Sequence, residues 1–371
     1  SFMGIFTGAS GIFSLAGANI DTMAGTINGL NPAPTTFAFI NQNGIGHFGF
    51  DKLSLSGTIN VAGSNGLSLQ TVNNSGGASP AIGVGNTTFA FSAATTKAVA
   101  IIAEGNGGNI AITGNLTVSG DVANLNGANV MVKAPIPVGS GGTPPPSGDI
   151  TMSGGTTLNA SGTAGGNGGN IYLFSANNLT TTGVNANGST AAAAGNGGMI
   201  AINAAGTVTA NVGAGNITAT GGGSTGAGAT GGSGGNVAII APTIAPGIFI
   251  DVKGGNTTGG TATGGYGGNI FVGGGNNPVS LVSGNVLRAD GGPGTSASSA
   301  GGAAGAILVT SGSISLPTGA TISAAGGNGT GASGGPGGIV NLLANTVATS
   351  AIDLVTGTAT IIGTAGGTTG G

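Results

Sequence analysis

Nine side chains in this chain are carboxylates or imidazole: Asp21, Asp51, Glu104, Asp121, Asp149, Asp251, Asp290, Asp353 and His47. Cleavage of a polysaccharide uses clustered carboxylates, one of them with a raised pKa. Only Asp251 and Asp290 fall at nearly equivalent positions of neighbouring repeats, and Arg288 and Lys253 stand beside them. A cationic neighbour lowers a carboxyl pKa, the opposite of what a general acid needs. Asp251, Arg288, Lys253 and Asp290 are therefore read as a structural charge ladder. His47, a lone imidazole in the turn NQNGIGHFGF, is read as structural too. No catalytic residue is expected, and the chain is expected not to be an enzyme.

Metal and cofactor chemistry fares no better. Without cysteine and with one histidine, the chain has no thiolate site, no disulfide and no multi-histidine site. Glycine-rich solenoid turns that bind calcium carry an aspartate after the glycines. Here Asn109, Asn170, Asn236 and Asn269 hold that position, or Met199, Ala306 and Ile339. Asparagines stacked and hydrogen-bonded along the repeat axis are the reading preferred. No lysine follows the glycine turns as a phosphate cradle requires. Four Thr-x-Thr segments, starting at Thr207, Thr218, Thr261 and Thr358, suggest an ice-binding array, but the repeat places Thr218 and Thr220 in line with Asp251 and Lys253, which breaks it. No metal and no cofactor is expected.

The elements that position these residues follow from composition and period. Of 371 residues, 85 are glycine, 39% are hydrophobic and 4% are charged, so the chain is too apolar for a disordered segment. No glycine-every-third pattern of a collagen runs through it. Five Lys and Arg at a net charge of −3 cannot track a phosphate backbone, so no nucleic acid is expected. The glycine, serine and threonine of the opening SFMGIFTGASG argue against a membrane span. No basic residue precedes Lys52, so no signal peptide of the usual form is seen, and Ser1 is read as a processed start.

One phrase, a glycine pair followed by Asn and a β-branched residue, recurs from Gly107-Gly108-Asn109-Ile110 onward. Its anchors at 171, 200, 237, 270, 307 and 340 lie 29 to 37 residues apart. A second phrase starts at Leu158, Val184, Ile217, Ile250, Leu287, Ile322 and Ile362 and keeps a similar period. Segments such as NIYLF, MIAINA and NVAII read as short strands bounded by glycine, and no helical period reaches a dozen residues. A unit of about 35 residues cannot close a core alone, but stacked units can. The prediction is an all-β, right-handed parallel β-solenoid of about ten coils, with glycine at the corners for positive φ and for close backbone approach. Overlaying Gly254-Gly255 on Gly291-Gly292 puts Asp251 over Arg288 and Lys253 over Asp290, and opposite charges meet twice.

Two regions are set apart. Residues 1–100 form an aromatic-rich β-helix region or cap, and 101–371 the glycine-rich solenoid; nine of the twelve phenylalanines lie before residue 92. There Thr35-Thr36-Phe37-Ala38-Phe39 recurs as Thr87-Thr88-Phe89-Ala90-Phe91. The proline-rich stretch 134–148 is either a loop bulging from the solenoid or a linker between domains.

Residues 18–50, ANIDTMAGTINGLNPAPTTFAFINQNGIGHFGF, resemble the amino-terminal haemagglutination-activity region of filamentous-haemagglutinin-type exoproteins. Ile20, Gly25, Ile27, Ile40, Asn41, Asn43, Gly44, Ile45, Phe48 and Gly49 carry the likeness, while Gln42 stands where the family has proline. The resemblance, to a two-partner-secretion-like exoprotein family, implies a secreted right-handed β-helix and does not extend to the family's export partner or adhesive role.

The remaining expectation concerns the two ends. SFMGIFTGASGIFSL is apolar and lacks charge, and IIGTAGGTTGG places an apolar phrase and a glycine turn last. Phe2, Ile5, Phe6, Ile12, Phe13, Ile361 and Ile362 are read as an assembly interface through which solenoids continue end to end, or by strand donation. A truncated piece of a longer exoprotein is the alternative. The expected role is thus an extracellular, cell-surface or biofilm-matrix filament whose partner is itself, or else an adhesin that binds a glycan or host surface.

Overall fold

In the computed structural model the chain is a parallel β-solenoid. The structure describes residues 80–92, 97–104, 108–120, 125–134, 148–210, 216–281, 284 and 286–345. It also describes the backbone strands Phe13–Ala16, Thr36–Ile40, Ile45–Phe50, Leu53–Ala62, Gly66–Val72, Ile352–Leu354, Thr360–Ile362 and Thr369–Gly370. Every pairing between named strands is parallel, and no helix occurs among the described residues.

Each coil contributes strands to three columns. The first column is a ten-stranded sheet running from Ile45–Phe50 to Ile339–Ala344. The other two branch from one long strand, Ile82–Ser92. Its first half pairs with Ile110–Ile112 and its second half with Leu116–Thr117. The well-formed solenoid from Asn129–Ala134 to Ile339–Ala344 makes about seven turns, somewhat fewer than the ten or so coils expected.

Alternation decides what is buried. Along the ten-stranded sheet Val130, Ile171, Ile200, Val237, Ile270 and Ile307 stack one per coil. Ile150, Leu179 and Val208 do so on the second column, and Leu158, Val184, Ile217, Ile250, Leu287 and Ile322 on the third. All join one core cluster and are almost fully buried. Each side chain of this type stabilises the fold by roughly 1.5–3 kcal/mol relative to an exposed one.

The anchors at 171, 200, 237, 270, 307 and 340 are paired as the spacing predicts. Two expected copies are displaced. Ile110 pairs with Ile82 and Ile150 on the second column, whereas Val130 is the partner of Ile171. The glycine–asparagine start recurs on more than one side of the coil, because a side-chain amide there accepts from the next coil whichever sheet it precedes. The last copy of the second phrase is Ile361, which pairs with Ile322, and Ile362 falls beside Ser323. His47 lies within the strand Ile45–Phe50, paired with Ser68, and not in a turn.

The early aromatic repeat has a direct meaning: Phe37, Ile59 and Phe89 share one column on three successive coils. Stacking continues across residue 100, since Gly66–Val72 pairs with Ala98–Glu104 and that strand pairs with Asn129–Ala134. Residues 135–147 lie outside the described residues. The chain leaves at Ala134 and re-enters at Gly148, where a Cβ would stand 3.2 Å from the Ala134 carbonyl oxygen.

Between the third column and the next long strand, each coil from residue 160 onward extends a glycine-rich arm that runs out and back. Within one arm Gly268 N–H donates to Val252 O at 2.7 Å and Gly265 N–H to Gly255 O at 2.8 Å. Between arms Gly255 N–H donates to Gly232 O and Gly292 N–H to Gly265 O, each at 2.8 Å. The limbs leave no room for side chains: a Cβ on Gly235 would stand 1.8 Å from Gly198 O. Close approach, more than positive φ, is thus what glycine supplies here. Within the arms positive φ is found at tips such as Gly228 and Gly260, while Gly155, Gly247, Gly284 and Gly319 adopt it, as expected, at corners between the second and third columns.

Candidate functional site

The charge ladder lies on the outward side of the third column. There Ile250–Asp251 sits between Ile217–Thr218 below and Val286–Arg288 above. Asp251 pairs in register with Arg288, and Arg288 Nη1 stands 3.4 Å from Asp251 Oδ2. Arg288 Nε also faces Asp290 Oδ2 at 3.7 Å, two residues along its own chain. Asp290 Oδ1 accepts from Ser323 Oγ at 2.5 Å and from Ala325 N–H at 2.8 Å, one coil further on. Three coils are therefore tied by Asp251, Arg288, Asp290 and Ser323.

Lys253 acts differently from the expected cross-coil pairing. Its backbone N–H donates to Asp251 Oδ1 at 3.1 Å, and Arg288 rather than Lys253 is the cation within ion-pair distance of Asp290. A side chain two residues along the same strand projects to the same face, so Arg288 reaches both carboxylates.

Burial pushes the Asp251 carboxyl above the ordinary aspartate value. The Lys253 N–H and the Arg288 and Lys253 charges oppose this, and Asp290 reinforces it. The Asp251 side chain is 10% exposed, so desolvation outweighs its cationic neighbours. A raised carboxyl pKa is a property of general acids. At Asp251, however, Oδ1 and Oδ2 are both engaged by groups of the fold. The chemistry available to this set is cross-coil bonding. Ser323 was the member that sequence reading missed; its place one coil above Arg288 was implicit in the repeat.

The asparagine columns hold the coils in register. Asn170 Oδ1 accepts from Met199 N–H at 3.0 Å, Asn269 Nδ2 donates to Asn236 Oδ1 at 3.0 Å, and Asn269 Oδ1 accepts from Ala306 N–H at 3.1 Å. Asn109 belongs to another column, where its Oδ1 accepts from Gly148 and Asp149 N–H. Asp149 continues that column by accepting from Asn178 N–H at 2.9 Å. Among the described residues no group of three or more His, Cys, Asp or Glu could hold a metal ion. Nor is any helix among them long and apolar enough to cross a membrane. The threonine pairs do not form one array: Thr209 is beside Thr180 on the second column, and Thr218 is beside Asp251 on the third.

Of the expected assembly residues, Phe2, Ile5, Phe6 and Ile12 lie outside the described residues. Phe13 begins the strand Phe13–Ala16, whose described partner is Thr36–Ile40. Ile361 and Ile362 lie on Thr360–Ile362, whose described partner is Thr321–Ser323. Phe13 and the Ile361–Ile362 pair thus occupy strands near opposite ends of the described stack. No protein-family model, curated protein or solved structure matches the chain.

Proposed function

We propose that this chain is a non-enzymatic extracellular structural protein whose solenoids stack end to end, directly or by strand donation, into a surface or biofilm-matrix filament. The observation that carries the reading is the parallel register of the ten-stranded sheet, in which Val130, Ile171, Ile200, Val237, Ile270, Ile307 and Val340 follow one another coil by coil. A parallel ladder accepts a further coil at about 4.8 Å on the same terms, whether from the same chain or another. The low charge of the chain removes repulsion between copies, and the likeness of residues 18–50 to filamentous-haemagglutinin-type exoproteins supports secretion. Negative-stain electron microscopy in dilute buffer tests the proposal. Thin uniform fibres are expected, and single short rods would overturn it.

Adhesion to a glycan is the second reading. It is favoured by Tyr266, which stands 61% exposed on a glycine arm as an aromatic face on which a sugar could stack. Retention on a glycan array that Tyr266→Ala abolishes would support it.

A further inference from the structure

The outward face of the ten-stranded sheet carries a pattern that neither stacking end to end nor the core explains. Its central column reads, one residue per coil, Met131, Tyr172, Ala201, Ala238, Phe271, Leu308 and, on the last strand, Asn341. Two bulky side chains are followed by two alanines and then by two more bulky ones. This makes a ridge, a trough two coils wide and a second ridge. Tyr172 is held by its neighbour Phe174, ring centroids 6.3 Å apart and planes 11° from parallel. No charged residue occurs in the six strands from Ile171–Ser175 to Ile339–Ala344. The asparagines at the edge of this face already bond to one another or to the next coil, so covering them strands few polar groups.

We infer that this face is a lateral interface with a second copy of the chain, the two solenoids antiparallel and face to face, Phe271 and Leu308 of one filling the Ala238–Ala201 trough of the other. Geometry selects this arrangement. A two-fold axis along the strands reverses the order of coils but keeps the central column over itself. With Ala238 set opposite Phe271, Ala201 falls opposite Leu308, and the two-fold repeats both contacts. A parallel pairing in register would set ridge on ridge. Six overlapping strands at about 4.8 Å spacing, each about 16 Å long, bury about 1,000 Å² over both partners, the size at which specific interfaces begin. Lys133, the charged residue on the neighbouring strand, lies just outside the overlap.

The inference does not rest on end-to-end stacking. Sedimentation of the full chain tests it, with a dimer of the 33.9 kDa subunit expected. Ala238→Phe, which fills the trough, is expected to weaken self-association about tenfold or more. Adding Phe271→Ala exchanges ridge and trough on both sides and is expected to restore it. Where the protein is filamentous, the same readout is fibre width, two solenoids for the wild type and one for Ala238→Phe; normal fibre length in that variant leaves stacking intact. A second measurement covers the case in which the exchanged variant fails to fold. The chain has no cysteine, so a bis-maleimide of about 10 Å span, matched to the separation of two packed sheets, should join Ala238→Cys copies into covalent dimers. A wild type that stays monomeric at about 100 μM, well above the Kd range of specific dimers, overturns the inference. So does a folded exchanged variant that does not dimerise, or Ala238→Cys copies that the bis-maleimide fails to join.

Discussion

Asp251 and Arg288 occupy paired positions on adjacent coils and close an ion pair at 3.4 Å, yet the carboxyl in that pair is harder to ionise than a free aspartate. Burial on a strand roofed by the next coil withdraws solvent that one guanidinium replaces only in part. The pair therefore holds coils together without being a strong source of stability.

Removing the cation should expose that balance. Arg288→Ala leaves Asp251 and Asp290 facing each other without their shared partner, and a loss of about 1–3 kcal/mol is expected. Chemical denaturation of the purified variant measures it, with Thr310→Ala on the outer sheet face as a comparison that should shift by less than about 0.5 kcal/mol.

The pH dependence follows from the direction of the Asp251 shift. A carboxyl whose folded pKa is raised binds its proton more tightly folded than unfolded, so its contribution to stability falls as pH rises from the ordinary aspartate value of 3.8 through the folded pKa. Wild type compared with Asp251→Asn should gain stability on acidification through that window, and neither should change its difference near pH 7, above the window. Melting curves at stepped pH check this; a difference that falls on acidification would contradict the shift.

Glycine at the arms should be irreplaceable where limbs touch and dispensable elsewhere. Gly235→Ala places a Cβ 1.8 Å from Gly198 O and should cost more than about 4 kcal/mol or prevent folding. Gly154, with nothing within 4 Å of a built Cβ, should accept alanine with a change between neutral and a gain of about 1 kcal/mol. Thermal unfolding of the two variants side by side gives the comparison.

The asparagine columns need an acceptor more than an amide. Asn170→Asp should be nearly neutral, because Asp149 already fills such a place by accepting from Asn178 N–H. Asn170→Leu leaves the Met199 N–H without its partner and should cost about 1–3 kcal/mol. Hydrogen exchange at Met199 reads the loss at the site itself.

If solenoids join through apolar strands, deleting residues 1–15 should abolish fibres in the strand-donation version while leaving the coils folded. Fibres of the wild type should persist from about 0.05 to about 1 M salt, because screening removes little from an uncharged contact. Electron microscopy of both samples decides; unchanged fibres after the deletion would eliminate strand donation.

The repeat was legible in the sequence because side-chain alternation and coil spacing are one-dimensional properties. The anchors from Ile171 to Val340 and the column from Leu158 to Ile322 follow from period alone, as does the meeting of Asp251 with Arg288. Period does not say which side of a coil a phrase occupies, so Ile110 was placed on the wrong sheet and Ile362 one residue late. Nor does it say how far a side chain reaches, so Lys253 was assigned the carboxylate that Arg288 holds. The glycine arms, the raised Asp251 pKa and the ridge-and-trough face depend on distances between chains and on exclusion of water. Those are properties of the stacked coils, and they exist only once each residue has neighbours from the turns above and below.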